Sequence, residues 1–230
     1  MTALLILQYA AHLLGDFTFQ PQKWCDRKEN KIISKEHIYH AFVIFVFSWI
    51  LSFQFSFWWG SLSIAVFHFV SDVLKSFLYK QNIGRKYSFF IDQVIHLIII
   101  TSVVYLFGQT TIISFPMITT NVAFILFALI ACTKPANIFI KKFMEVQEII
   151  HESKDENNLL KAGRVIGSLE RLISFVLIVF NQFGAVGFII AAKSILRFRD
   201  VQTAKTEYLL IGTLLSFGIA IFLGITYNLI

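Results

Sequence analysis

Charge is what this 230-residue chain has least of. Asp, Glu, Lys and Arg make up 15% of it, against roughly 25% in a soluble domain. That excludes a water-facing surface over most of its length. Cysteine is scarce too. Cys25 and Cys132 fit neither a disulfide framework nor a CxxC metal motif. There is no GxSxG motif, which disfavours covalent catalysis by a serine nucleophile. No basic segment precedes the first apolar run, and His12 and Asp16 interrupt that run. Residues 3–20 therefore read as a retained first helix and not as a signal peptide.

What is present is apolar. Hydrophobic residues reach 57%, Phe alone numbers 26, and mean hydropathy is +0.70. Long runs lie at 38–59, 89–107, 122–132 and 209–230. A helix needs about 20 apolar residues to cross about 30 Å of hydrocarbon. The expected fold is all-α: a polytopic integral membrane protein of seven or eight helical segments. The lipid bilayer is then the expected partner. The net charge of +6 reflects basic loops, with no nucleic-acid partner. Aromatic stretches such as 53–59 suit an interface belt or a lipid-facing helix.

Helices are predicted at 2–20, ended by Pro21, at 37–58, at 61–79 after a turn at Gly60, at 88–107 and at 121–140. Loop 21–36 carries Lys23, Arg27, Lys28, Lys31 and Lys35, and the next basic loop carries Lys80, Arg85 and Lys86. The intervening loops have no charge, so the basic ones are assigned to the cytoplasm and the N-terminus to the outside. The polar stretch 141–164, around His151, is then cytoplasmic. A break at Asn181-Gln182-Phe183-Gly184 makes a hairpin of 165–180 and 184–199 and returns Lys193, Arg197, Arg199 and Lys205 to the cytoplasm. A last helix spans 207–229. Two regions result: 1–107, carrying the polar residues described next, and 108–230.

Five of the six histidines fall in the first 96 residues, and four stand four residues from an acid: His12/Asp16, Glu36/His40, His68/Asp72 and Asp92/His96. Residues at i and i+4 share a helix face. An offset of 56 residues carries the first two pairs onto the last two. This predicts that the N-terminal four helices are a parallel repeat of two helical hairpins. All four pairs fall at the cytoplasmic level. Imidazole and carboxylate together suit a divalent metal such as Zn, Mn or Fe, as one ion or two. The expected ligands are His12, Asp16, Glu36, His40, His68, Asp72, Asp92 and His96. The plainer alternative is that each His hydrogen-bonds its own acid. Glu36, nearest the loop, also fits a solvated helix start, and His37 reads as an interface residue. Lys75, three residues after Asp72, suits an anionic substrate or an ordinary ion pair. Gln20 and Gln93 suit ligand orientation, and Gly15 close helix packing. Glu170, Arg171, Lys193, Arg197 and Glu207 suggest a second, ion-paired or lipid-headgroup cluster.

The motifs His12-Leu13-Leu14-Gly15-Asp16-Phe17-Thr18-Phe19-Gln20, 68–75 and Asp92-Gln93-Val94-Ile95-His96 resemble an uncharacterised bacterial membrane family, domain of unknown function 3307. The resemblance extends to 163–171, 193–198 and 207–216, and implies a bacterial inner (cytoplasmic) membrane protein without naming an activity. A weaker similarity is to inner-membrane metal-dependent hydrolases. The functional expectation is a membrane-embedded metal-dependent hydrolase acting on an anionic, lipid-like or membrane-delivered substrate, with Asp16, Lys75 and Asp92 catalytic. The alternatives are a metal-ion or proton transporter, and a membrane component whose polar cluster is structural.

Overall fold

The computed structural model describes residues 1–81, 83–110, 118–149, 157–197 and 203–230, without the side chains of 30, 157–161, 196–197 and 203–209. Every helix in it is α-helical apart from two short turns, and no strand occurs among the described residues. The chain forms two compact units, Met1–Phe127 and Ala128–Ile230.

In the first unit α1 (Thr2–Leu13) runs into a π-helical turn, Leu14–Thr18, which carries Gly15 and Asp16. A Cβ on Gly15 would sit inside the van der Waals shell of Ile44. Glycine lets the widened turn lie against α3 without displacing the end of the Ile44 side chain. A short helix, α2 (Gln22–Asn30), occupies most of what the sequence presents as a loop. Then come α3 (Lys35–Ser52), α4 (Trp58–Lys80) and α5 (Ser88–Thr110). α3 packs on α4, α4 on α5, and α1 on both α3 and α5.

The bundle is graded along its length. At one end Leu4, Ile44, Phe57, Ile64, Ile100, Val104 and Phe107 form an apolar core. Halfway along, Gln8 Nε2 donates to the Ser48 carbonyl (3.0 Å), and Ser48 Oγ donates to Ser61 Oγ (2.9 Å). At the other end lie the histidines and aspartates.

Two sequence expectations are corrected in this unit. The turn after α3 is at Phe53, in the left-handed region (φ 52°), and not at Gly60. Ser52 Oγ accepts the Gln54 amide (3.2 Å) and donates to the Trp49 carbonyl (2.6 Å), so one side chain closes the helix end. Gly60 lies inside α4, where a Cβ would meet the Phe57 ring at 2.7 Å. His37 is no interface residue; it is fully buried. Its Nδ1 accepts the Ser34 amide (3.2 Å) and its Nε2 lies 3.1 Å from Ser76 Oγ. A ring with both nitrogens bonded can be buried cheaply.

The predicted helix 121–140 is broken into α6 (Thr120–Ala131) and α7 (Lys134–Val146), with Pro135 in the first turn of α7. Proline suits that position because its missing N–H has no helical partner there. The second unit continues with α8 (Asn157–Val179), α9 (Phe183–Arg197) and α10 (Thr203–Leu229). The break expected near 181–184 is present, with Asn181 at φ 58°. His151 and Arg199 lie outside the described residues.

Phe55–Lys80, Ser88–Thr110 and Leu210–Leu229 are long and apolar enough to cross a membrane. Thr120–Ala131 and Lys134–Val146 qualify only as one span bent by 52°, giving at most four among the described residues. α1 alone has 12 residues, a length of about 18 Å.

Candidate metal centre

Four helices each bring one histidine to the same end of the first unit. His12 comes from α1, His40 from α3, His68 from α4 and His96 from α5. The His68 and His96 rings stack with centroids 3.8 Å apart, and His40 Nε2 lies 2.9 Å from His68 Nε2. All four are buried. Three overlapping sets hold their nitrogen or oxygen atoms within 4.8 Å of one another: His12, Asp16, His68 and His96; His40, His68 and Asp72; Asp72, Asp92 and His96.

The acids do not stay with their own sequence neighbours. Asp16 Oδ1 is the point of convergence, with His40 Nε2 at 3.2 Å, His68 Nε2 at 3.4 Å and His12 Nδ1 at 3.5 Å. Yet Asp16 Oδ1 carries no hydrogen bond, and neither do the buried Nδ1 atoms of His12, His40 and His96. Buried polar atoms are normally satisfied, so four such orphans in one place are unusual.

Gln93 defines the His12 tautomer. Its Nε2 donates to Asp16 Oδ2 (3.1 Å), which turns its Oε1 towards His12 Nε2 (3.3 Å). An amide oxygen only accepts, so a neutral His12 carries its hydrogen on Nε2. The lone pair on Nδ1 then lies 3.5 Å from Asp16 Oδ1. Two acceptors thus face each other.

Glu36 is not brought to this cluster. Arg27 Nη1 donates to Glu36 Oε1 at 2.7 Å. The guanidinium hydrogen bond holds the Glu36 carboxyl down to about 2. The expected Glu36/His40 pairing thus gives way to an ion pair between α2 and α3, and the doubled pattern is one acid short.

Lys75 and Asp92 stand together beside His96. Lys75 Nζ donates to Asp92 Oδ2 at 2.8 Å, and Asp92 Oδ1 lies 3.6 Å from His96 Nε2. Ser71 Oγ lies 2.8 Å from His96 Nε2. Sequence reasoning missed Lys28. It stands on α2, is only 8% exposed, and is ion-paired with Asp72. With its amide nitrogen on the Asp16 carbonyl (3.2 Å), Gln20 accepts from Lys28 Nζ (2.9 Å). The signal for Lys28 was faint, since it is one of five cations in a segment read as a loop.

The family model for a protein of unknown function (DUF3307) matches residues 4–132, a stretch that contains every member of this cluster. The chain belongs to that family. No curated protein and no solved structure matches the chain. The DUF3307 match ends at residue 132, so the motifs at 163–171, 193–198 and 207–216 lie outside it.

The second cluster is also rearranged. Glu170 pairs with Lys193. Arg171 instead bonds only neutral oxygens among the described residues: Nε to the Cys132 carbonyl (2.7 Å), Nη1 to Ser216 Oγ (2.8 Å), and Nη2 to Asn137 Oδ1 (2.6 Å) and Ser168 Oγ (3.2 Å). The side chains of Arg197 and Glu207 lie outside the described residues.

Proposed function

We propose that the protein is a membrane-embedded, metal-dependent hydrolase acting at the cytoplasmic face on a lipid-like or membrane-delivered substrate. The observation that carries this reading is the unsatisfied Asp16 Oδ1 among three imidazole nitrogens. A tetrahedral ion with bonds of about 2.0–2.1 Å holds its ligand atoms about 3.3–3.4 Å apart. The distances around Asp16 Oδ1, 3.2–3.5 Å, match that spacing better than they match hydrogen bonds. A cation would also resolve the lone-pair opposition between His12 and Asp16. The proposed ligands are His12, Asp16, His40, His68, Asp72 and His96, for one or two divalent ions, with Glu36 withdrawn.

A bound divalent ion supplies Lewis acidity. The protein's own groups supply the rest. Asp92 is positioned to take a proton from water, because Lys75 holds its Oδ2 and leaves Oδ1 beside His96. Lys75 then lies where negative charge develops. Ionised groups in a membrane helix cost about 2.5–3.5 kcal/mol each on insertion scales, which favours a functional role for three such aspartates. The apolar core at the far end of the bundle offers an ion no onward ligand. This favours hydrolysis over transport.

The proposal includes a topology. The chain is an inner-membrane protein of seven or eight segments, its N-terminus outside, its first four long helices two parallel-repeat hairpins. The basic loops support this by the positive-inside rule.

The test is elemental analysis of protein purified in detergent from cells supplied with Zn, Mn or Fe. One or two ions per chain are expected in wild type, with at least about a tenfold loss of affinity in Asp16→Asn and His68→Gln. Wild type without stoichiometric metal across all three ions overturns the reading. Metal uptake into liposomes by the loaded protein would replace hydrolysis with transport.

A further inference from the structure

Three carboxylates and two ammonium groups sit in and around the site: Asp16, Asp72 and Asp92 against Lys28 and Lys75. With neutral imidazoles this leaves one surplus negative charge. A single divalent ion would turn it into one surplus positive charge, and two ions into three. Buried charge is costly unless it is paired. A metal-loaded site of this composition therefore demands an anion.

The lysines indicate which anion. They reach the site from different elements, Lys28 from α2 and Lys75 from α4. Each is paired with a carboxylate of the same set, Asp72 and Asp92 with His96. A metal held by Asp72 competes with Lys28 for that carboxylate, while Lys75 stays on Asp92, so both ammonium groups stand beside the metal. An anion bound there must accept from two ammoniums and a metal at once. A carboxylate has two oxygens and one charge. A phosphate monoester carries nearly two charges at pH 7 and three acceptor oxygens.

A cleft of about 700 Å³ lies at the α2–α3 turn, lined by Arg27, Lys31 and Lys35. The one carboxylate lining it, Glu36, is already held by Arg27. A concave, cationic surface concentrates anions and speeds their arrival. α2 thus presents Arg27 to the cleft and Lys28 to the buried site.

We infer that the substrate is a phosphate ester, gripped by Lys28 and Lys75 beside the metal. The inference rests on the metal reading of the site. Hydrolysis would add one water across a P–O bond. The water oxygen, with one hydrogen, joins phosphorus, and the other hydrogen leaves on the alcohol oxygen, so no redox partner is needed.

The test is Mn²⁺ titration of the full chain in detergent, with and without inorganic phosphate. Phosphate is expected to tighten Mn²⁺ binding by about tenfold, since coupling between two ligands is reciprocal. In Lys28→Gln and in Lys75→Gln the gain over each variant's own phosphate-free value should fall below about threefold, and arginine at either position should restore it. The same titration in nanodiscs of phosphatidic acid and of phosphatidylcholine identifies the source. Tightening by phosphatidic acid beyond that by free phosphate supports a lipid headgroup; the reverse supports a soluble phosphate ester. Stoichiometric Mn²⁺ with no response to phosphate or phosphatidic acid overturns the inference and leaves the metal reading standing. Absence of any metal binding overturns both.

Discussion

Gln93 sits between His12 and Asp16 with one donor end and one acceptor end. Because the donor is used by the carboxylate, the acceptor takes the His12 Nε2 hydrogen, and Nδ1 is left to ligate. Outer-shell hydrogen bonds of this kind orient a ligand and fix its tautomer, and their loss costs about 10–100-fold in metal affinity. Gln93→Met should therefore weaken metal binding by about that factor while leaving the helical circular dichroism unchanged. Gln93→Glu should not recover the loss, since its carboxylate accepts from His12 Nε2 but sets a second negative oxygen against Asp16 Oδ2. An unchanged metal affinity in Gln93→Met would remove Gln93 from the site. At this scale the sequence was informative about identity and poor about pairing. Of the eight ligands expected from the sequence, the six in the i, i+4 pairs His12/Asp16, His68/Asp72 and Asp92/His96 all meet. The spacing could not reveal that His40 would come to lie against Asp16 and His68, because that depends on how α1, α3 and α4 pack. Nor could it reveal that Arg27 would take Glu36.

Two helices owe their shape to a single residue each. The π-helical turn at Leu14–Thr18 puts Asp16 where a regular α-helix would not, and Gly15 permits it by lying against Ile44. The α6–α7 break depends on Arg171. The last carbonyls of a helix lack intrahelical donors and carry partial negative charge. Arg171 donates to two carbonyls at this break, Cys132 (2.7 Å) and Thr133 (3.4 Å), while only 1% exposed. This gives a buried cation with no bonded carboxylate among the described residues a counter-charge. Arg171→Met should leave those oxygens and the Asn137 and Ser216 side chains without their donor. Each buried, unsatisfied polar group costs about 1–3 kcal/mol, so a stability loss of at least about 3 kcal/mol is expected in chemical denaturation of the detergent-solubilised protein. Arg171→Lys should fall between, because an ammonium cannot reach all of these partners. A variant as stable as wild type would mean that the break is held by other contacts. Hydropathy averaged over 121–140 concealed this break, since both halves are apolar. Pro135, two residues after Thr133, was the one local sign of it, by the usual preference of proline for a helix start. The break near Asn181 was legible because Asn tolerates the left-handed conformation found there.

At the scale of the whole molecule, the surplus of cations is the basis for the proposed orientation of the site. Lys and Arg outnumber Asp and Glu, 20 to 14, and the basic residues of the first unit gather at the turns beside the histidine–aspartate end. The turn at 53–57 is at the opposite, apolar end and has no charge. In an inner membrane the positive-inside rule then puts the histidines and aspartates next to the cytoplasm. This orientation matters to the chemistry, because a phosphate ester made in the cytoplasm or in the inner leaflet would meet the α2–α3 cleft directly. Single cysteines test it in a background with Cys25→Ser and Cys132→Ala. Phe55→Cys, at an 80% exposed position on the uncharged turn, and Ile83→Cys, in the basic loop before α5, mark opposite ends of the bundle. In intact spheroplasts a membrane-impermeant maleimide should label Phe55→Cys, and it should reach Ile83→Cys only after lysis. The inverse pattern would place the site outside, remove its access to cytoplasmic phosphate esters, and require the substrate to arrive from the outer leaflet.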